Sequence, residues 1–228
     1  MKYFLKCLVL GTLLTVASIS YAAGNTEMVK PTPGTAYWTL DQANSTVIFV
    51  MNHSSLLEMH GYIPGRAMSG GGEINDADFT KSKFEVTFKA SALSTTFEFP
   101  GDPFKGSDGG LDAAKYPEIK FTSKKIEKPG DKYKITGALT MHGVTKDVAM
   151  TIDNASDICL YEGSKYRAFQ GSAVINRQDF GINWREPEKL NHPLFSDQIR
   201  IAMILEVVYP PPTPMNPGGE PQGALQKK

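Results

Sequence analysis

The sequence predicts an all-β domain of roughly eight antiparallel strands, and two observations support this fold class. Apolar and polar residues alternate along several stretches, including residues 84–88 and 148–152, and a period of two is typical of strands with one buried face. Clusters of Gly, Asp, Asn and Pro separate these stretches, for example at residues 69–72 and 129–131, which indicates short turns. One short helix is predicted, near residues 111–115.

The first 22 residues have the three parts of a secretory signal. Lys2 and Lys6 precede an apolar stretch, and small residues follow it up to Ala22, so we expect cleavage near Ala22. The mature chain would then have 206 residues and a net charge of about −2. The sequence therefore predicts a periplasmic or secreted protein, with residues 23–36 as a flexible leader.

Charge and composition argue against several classes of protein. A net charge near zero is not the basic footprint that nucleic-acid binding requires. No apolar run after the signal approaches the roughly 18 residues of a membrane helix. Only Cys159 remains after processing, so an intramolecular disulfide is impossible and stability must come from a hydrophobic core.

The folded domain is predicted to span residues 37–209. Residues 210–228 contain six of the fifteen prolines and almost no apolar side chains, which predicts a disordered tail. A role of this tail in binding a partner is the less favoured alternative.

The period of two does not decide how the strands are arranged, because eight antiparallel strands form either a barrel or a sandwich. The inward residues are mostly Phe, Ile, Met and Val, and an eight-stranded barrel of the lipocalin type leaves room for one ligand. A hollow interior and one filled by side chains are about equally expected from the pattern. If the barrel is hollow, its ligand-binding lumen is predicted to be lined by Phe84, Val86, Phe88, Phe121, Ile135, Met150, Ile201 and Met203.

Motifs of the commonest enzymes are missing from the sequence. It contains no Gly-x-Ser-x-Gly, no His-Glu-x-x-His and no phosphate-binding Gly-x-x-x-x-Gly-Lys motif. The tripeptide at residues 179–181 spells the kinase Asp-Phe-Gly but lacks the other kinase motifs. The four histidines have no metal-ligand spacing. We therefore predict no metal, no cofactor and no enzymatic activity.

Several polar residues are candidates for contact with the headgroup of a ligand at the rim of the barrel. Arg177 follows an apolar strand and precedes a long loop, so it could bind an anionic headgroup. The favoured alternative is a structural ion pair with Asp179 or another rim acid. Lys146 and Arg185 are further candidates for the headgroup.

Four segments in the same order resemble the YceI-like domain, a lipocalin-like bacterial family associated with polyisoprenoid binding. They are WTLD with STVIFVMNH at residues 38–53, AKYPEIKFTS at 114–123, LTMHGVTK at 139–146 and INRQDFGI at 175–182. The resemblance implies an extended eight-stranded antiparallel barrel with an apolar lumen. It also implies a long-chain lipid ligand, such as a polyisoprenoid, an isoprenoid quinone or a fatty lipid.

The resemblance adds His53 and His142 to the headgroup candidates, because they occupy positions where the family keeps polar residues. An alternative is an enzyme acting on a lipid or quinone, with these two histidines as acid and base. Residues 97–111 depart from the family in being rich in Gly and Pro, so the shape of the entrance is expected to differ. A homodimer is left open.

Overall fold

The computed structural model describes residues 36–54, 56–96, 104–107, 109–161, 163–184 and 194–210. The predicted signal at 1–22, most of the leader and the tail after Pro210 lie outside the described residues and stay predictions. The strands of the described part are β1 (Ala36–Leu40), β2 (Thr46–His53), β3 (Leu57–Pro64), β4 (Met68–Ile74), β5 (Lys83–Lys89), β6 (Ser94–Thr95), β7 (Glu118–Glu127), β8 (Tyr133–Met141), β9 (Val144–Ala155), β10 (Cys159–Tyr161), β11 (Ser164–Asn176) and β12 (Gln198–Tyr209).

Eleven of these elements combine into eight long strands, three of which are interrupted, and the short β10 pairs with β11 below the end of β9. The ladder of β1 with β4 and the ladder of β2 with β3 share one register, since Ala36 pairs with Ile74 and Thr46 with Pro64. β1 and β2 therefore act as one strand, and so do β3 and β4. By the same argument β5 continues into β6, because β5 pairs with β4 and β6 pairs with β3 in one register.

The eight strands close into an up-and-down barrel. Each long strand pairs with the next in antiparallel fashion. β12 pairs with β11 along its whole length and, on its other edge, with β1 and β2. This closure confirms the predicted eight-stranded lipocalin-like barrel and excludes the sandwich, in which the first and last strands do not join the sheet into a ring.

The three interruptions lie side by side. They are residues 41–45 and the 3₁₀ turns Gly65–Ala67 and Ala90–Ala92. A Cβ atom at Gly65 would overlap the carbonyl oxygen of Gln42, so the absence of a side chain at Gly65 permits the close approach of these two segments. The interruptions therefore divide the barrel into an upper and a lower half.

The upper end of the barrel is the one with the β2–β3 turn, the β8–β9 turn and the connection from β11 to β12. The lower end holds the β4–β5 and β7–β8 connections. Two further 3₁₀ turns, Phe79–Lys81 and Arg177–Phe180, lie at the lower and upper ends respectively. Within the described part, no helix is long and apolar enough to cross a membrane.

The short helix predicted near residues 111–115 is instead a turn. The backbone amides of Lys115 and Tyr116 both donate to the carbonyl oxygen of Asp112. Asp112 has a positive φ of 45°, which is not helical, and Pro117 disfavours the helical conformation at Tyr116. A five-residue segment with these boundaries is too short to sustain a helix.

Candidate functional site

Two apolar cavities formed by the described residues lie inside the barrel. The larger one, of about 130 Å³, lies in the upper half, and the smaller one, of about 70 Å³, lies in the lower half. Every residue that lines them is apolar or glycine. Four side chains border both cavities and form a waist between them, namely Phe88, Phe121, Met150 and Met203.

All eight side chains predicted for the lumen lie on the walls of these cavities. Phe84, Val86 and Ile135 line the lower cavity and Ile201 lines the upper one, while the remaining four form the waist. Cross-strand partners share a face of the sheet, and the register places Ile135 opposite Met150. That these residues contact a ligand stays a prediction.

The interior is neither fully hollow nor fully packed. An apolar cavity of about 150 Å³ in another protein holds one benzene molecule, so the upper cavity has room for a ligand segment of that order. A longer chain requires the waist to widen. Met150 and Met203 suit this movement because methionine is unbranched and adapts to irregular shapes.

Aromatic residues from two connections cover the upper cavity. Phe104 lies 5.1 Å from Trp184 and 5.5 Å from Phe195 between ring centroids, and Trp184 and Phe195 are 5.3 Å apart. All three are buried. Phe104 belongs to the Gly- and Pro-rich segment that departs from the family, so that segment forms part of the cover. Residues 97–103 and Asp108 lie outside the described residues.

Sequence reasoning missed these covering residues. Phe104, Leu111 and Trp184 line the upper cavity but lie in connections, where no alternation marks an inward side chain. Ile119 and Leu139 were also missed, although polar and apolar residues alternate around them, and Phe49 was missed within the continuous apolar run at residues 47–51. The period of two was a sufficient signal for Ile119 and Leu139 only.

Arg177 holds the connection between β11 and β12 together. Its side chain is 3% exposed and donates to the carbonyl oxygens of Ile182, Phe195 and Ser196 at 2.8, 3.3 and 3.2 Å. It also forms an ion pair of 2.8 Å with Asp197. These contacts favour the structural ion pair over the headgroup role, with Asp197 as the acid.

The guanidinium of Arg177 also lies 4.9 Å from the centre of the Trp184 ring, a distance at which a cation is attracted to the aromatic face. Asn176 begins the turn Arg177–Phe180, because its side chain accepts the Gln178 amide. The cover of the upper cavity is therefore fastened to the end of β11 by a buried charge.

His142 is part of the turn between β8 and β9. His142 and Gly143 both have positive φ, of 51° and 74°, as a two-residue hairpin of type I′ requires. The Nδ1–H of His142 donates to the carbonyl oxygen of Phe180 at 2.9 Å. Tyr116 packs edge-on against the ring, 4.8 Å away. The structure thus uses His142 to join the hairpin to the turn Arg177–Phe180.

The other headgroup candidates lie apart from one another. His53 ends β2, packs edge-on against Phe195 at 5.1 Å and lies 3.2 Å from the Ser54 hydroxyl. Lys146 is exposed on β9. Arg185 lies outside the described residues. Among those residues, no group of three or more His, Cys, Asp or Glu side chains could hold a metal ion.

The lower end is closed by aromatic residues on or beside strands. Phe79 stacks on Phe169 at 5.0 Å and meets Tyr133 edge-on at 5.0 Å. The guanidinium of Arg167 lies 5.2 Å from the rings of Phe79 and Phe169. Phe79 is placed by the side chain of Asp78, which accepts the Thr80 amide at the start of the turn Phe79–Lys81.

A pair of carboxyl groups lies at the boundary between the two halves. Partial burial, the nearby charge of Asp41 and a hydrogen bond with Asp41 raise the pKa of Glu206 above its ordinary value. Asn44 donates to both carboxyl groups, at 3.1 and 3.2 Å. Glu206 therefore holds its proton more tightly in the folded protein than an exposed glutamate does.

Comparison with known proteins agrees with this architecture. The YceI-like domain matches residues 38–207. A UPF0312 protein of Pseudomonas savastanoi pv. phaseolicola is 31% identical over 192 residues, which cover 82% of this chain and 91% of the relative.

Two solved structures share the fold at lower identity. BcnA of Burkholderia cenocepacia is 22% identical with a TM-score of 0.60, over 73% of this chain and 98% of BcnA. A polyisoprenoid binding domain from Saccharophagus degradans is 16% identical with a TM-score of 0.52, over 75% of this chain and 97% of the domain. By its barrel and its sequence, this chain belongs to the YceI-like domain family.

Proposed function

We propose that this protein binds a long apolar lipid, a polyisoprenoid or isoprenoid quinone, inside its barrel, and sequesters or carries it without chemical change. The observation that carries the proposal is the interior itself, with two cavities whose walls present only apolar side chains and glycine. The polyisoprenoid binding domain of Saccharophagus degradans, which shares the fold, is consistent with this ligand class.

Transfer energetics support an apolar chain as the ligand. Each methylene group moved from water into an apolar interior contributes about 0.8 kcal/mol. The described residues that line the cavities offer almost no hydrogen-bonding group, so a polar ligand would lose its hydration without compensation. The apolar part of the lipid therefore belongs inside the barrel and its polar headgroup outside.

The proposal includes export to the periplasm or the medium. Its support is the arrangement of charged, apolar and small residues before Ala22. Fusion of residues 1–22 to a reporter that is active only after export should give activity, whereas replacing both Lys2 and Lys6 by Glu should reduce it. A reporter that stays in the cytoplasm would remove export from the proposal.

The same proposal assigns no catalytic role to His53 and His142. The first packs against Phe195, and the second donates to the Phe180 carbonyl oxygen, so each ring has a structural contact at the upper end. A lipid recovered chemically unchanged after incubation with the protein supports binding. A processed lipid would instead favour the acid–base alternative.

Native mass spectrometry of protein purified from its own host tests the ligand class, and retinol, a fluorescent isoprenoid alcohol, tests the cavity. Ala173→Phe fills part of the upper cavity and should lower retinol affinity by about tenfold or more. Ala202→Phe lies on the exposed face of β12 and should leave affinity unchanged. Equal affinities of the two variants, or protein that carries no lipid and takes up no retinol, would contradict the proposal.

A further inference from the structure

The seam between β9 and β11 is paired over only part of its length. The ladder runs from Phe169 opposite Ala155 to Ala173 opposite Met150 and stops there. Both strands continue upward, β9 to Val144 and β11 to Asn176, and all these residues belong to the described part. The next pairs in the same register would be Ala149 with Val174 and Val148 with Ile175, but neither pair forms.

The outer edges of the same two strands are fully paired at this height. β9 pairs with β8 up to Val144, opposite Met141. β11 pairs with β12 up to Asn176, opposite Gln198. Neither strand has frayed, so the missing rungs indicate that two intact strands diverge from each other above Met150 and Ala173.

The split opens towards the upper cavity. Val148 and Ile175, which face each other across it, both line that cavity, as do Met150 and Ala173 just below. Ile175 and Met150 are buried, whereas Val148 and Ala173 are only half-buried. Two of these four wall residues are therefore incompletely covered along this seam.

Two features bound the split at its top. The hydrogen bond from His142 to the Phe180 carbonyl oxygen joins the β8–β9 turn to the turn that follows β11. Lys146 lies opposite Leu139, which lines the upper cavity, so Lys146 is on the lumen face of β9. Its side chain is nevertheless exposed, which places a positive charge beside the opening.

Both ends of the barrel are closed, unlike the split between β9 and β11. Phe104, Trp184 and Phe195 cover the upper end, and Phe79 with Phe169 closes the lower end. We propose that the apolar chain of the ligand enters and leaves the upper cavity sideways, between β9 and β11, while its headgroup stays outside near Lys146. This inference rests on the proposed function, because it assumes that the cavity holds a lipid chain.

A cross-link across the split tests the entrance. Ala149→Cys and Val174→Cys place two thiols on the outer face at its margins, in a chain whose Cys7 and Cys159 are replaced by serine. A short bismaleimide joins them, and intact mass reports the fraction bridged. The matched control is Thr151→Cys with Ser172→Cys, a pair opposite each other where the ladder is formed.

The protein bridged between residues 149 and 174 should take up retinol about tenfold or more slowly than the unbridged protein, as expected when a gate is held shut. The control bridged between residues 151 and 172 should keep the rate of the unbridged protein.

A second variant keeps the test decisive where the bridge forms poorly. Ala149→Cys alone, modified with a bulky maleimide, should slow uptake, and Thr151→Cys with the same adduct should not. If the protein bridged across the split and the modified Ala149→Cys variant both take up retinol at the unchanged rate, the lateral entrance is wrong, while the proposal of lipid binding stands. Failure of every sample, including unmodified protein, to bind retinol would instead contradict the proposed function.

Discussion

The two ends of the barrel are both closed by aromatic clusters, yet the clusters are built differently. At the lower end, Phe79, Tyr133 and Phe169 lie on or next to strands, and the ring of Phe79 packs 5.0 Å from each of the other two. At the upper end, Phe104 and Trp184 come from two separate connections, and Arg177 holds the one that carries Trp184. The lower cluster belongs to the folding core, whereas the upper one is a cover over the larger cavity.

The largest expected effect is on the lower cluster. Phe79→Ala removes a buried ring that stacks on Phe169 and meets Tyr133, and large-to-small changes of this kind cost about 3–5 kcal/mol. Urea unfolding measures the loss. Retinol affinity of the folded fraction should fall less than it does in Ala173→Phe, because Phe79 lines the lower cavity and not the upper one. A loss of affinity larger than the loss of stability would break the distinction between the two ends.

Arg177→Ala should have the next largest effect. It removes the donor to three backbone carbonyl oxygens and the partner of Asp197, and hydrogen bonds to charged groups contribute about 1.5–3 kcal/mol each. Since the released loop can turn its carbonyl groups to water, we expect a net loss of about 3 kcal/mol in urea unfolding. Arg177→Lys should recover only part of it, because lysine lacks the forked geometry.

The control for this prediction is Arg200→Ala. Arg200 pairs with Glu58 on the outside of the barrel, where both side chains are at least half-exposed, so its loss should be much smaller. Equal destabilisation by Arg177→Ala and Arg200→Ala would show that the buried side chain of Arg177 does not hold the β11–β12 connection in place.

Phe104→Ala separates access from stability at the upper end. The substitution thins the cover over the cavity of about 130 Å³ and should give a retinol molecule a second route out. We expect dissociation of retinol to become about threefold faster or more, as for an enzyme whose lid is loosened, in stopped-flow fluorescence. Phe79→Ala serves as the control and should change that rate less, because Phe79 is not part of the upper cover. The reverse ranking would mean that ligands exchange through the lower end.

The sequence predicts the walls of the cavities better than their covers, and the reason is physical. Alternation of polar and apolar residues is imposed by the two faces of a strand, so Phe84, Val86 and Ile135 could be placed inward without a structure. Phe104 is buried only because two connections meet above the barrel, which no local pattern records. Arg177 illustrates the same limit, since the sequence offered Asp179 or another rim acid as its partner and could not single out Asp197 across the loop.

Lys146 allows a smaller, charge-specific test at the upper half. Retinoic acid and retinol share one chain but differ in headgroup, a carboxylate against an alcohol. Lys146→Gln should weaken retinoic acid binding about two- to fivefold, as befits an exposed charge, and leave retinol binding unchanged. Lys124→Gln removes a lysine that pairs with Asp147 and is the control. Equal losses for both ligands would mean that Lys146 does not lie near the headgroup.

The smallest effect is expected at the boundary between the two halves, where Glu206 lies beside Asp41. Because the pKa of Glu206 is raised in the folded protein, its contribution to stability is present below the unfolded pKa of about 4.3 and is lost as the pH rises through the folded value. Glu206→Gln should therefore stabilise the protein at neutral pH, by less than about 1 kcal/mol for a carboxyl group that is only partly buried.

Urea unfolding at neutral pH and at about pH 4 measures this difference, which should shrink at the lower pH. Glu127→Gln is the control of opposite sign, because a hydrogen bond and the charge of Lys125 lower the pKa of Glu127. Its replacement should slightly destabilise the protein at neutral pH. If Glu206→Gln also destabilises there, the two carboxyl groups do not repel each other, and the boundary between the halves is held by Asn44 and the backbone contact of Asp41 with Glu206 alone.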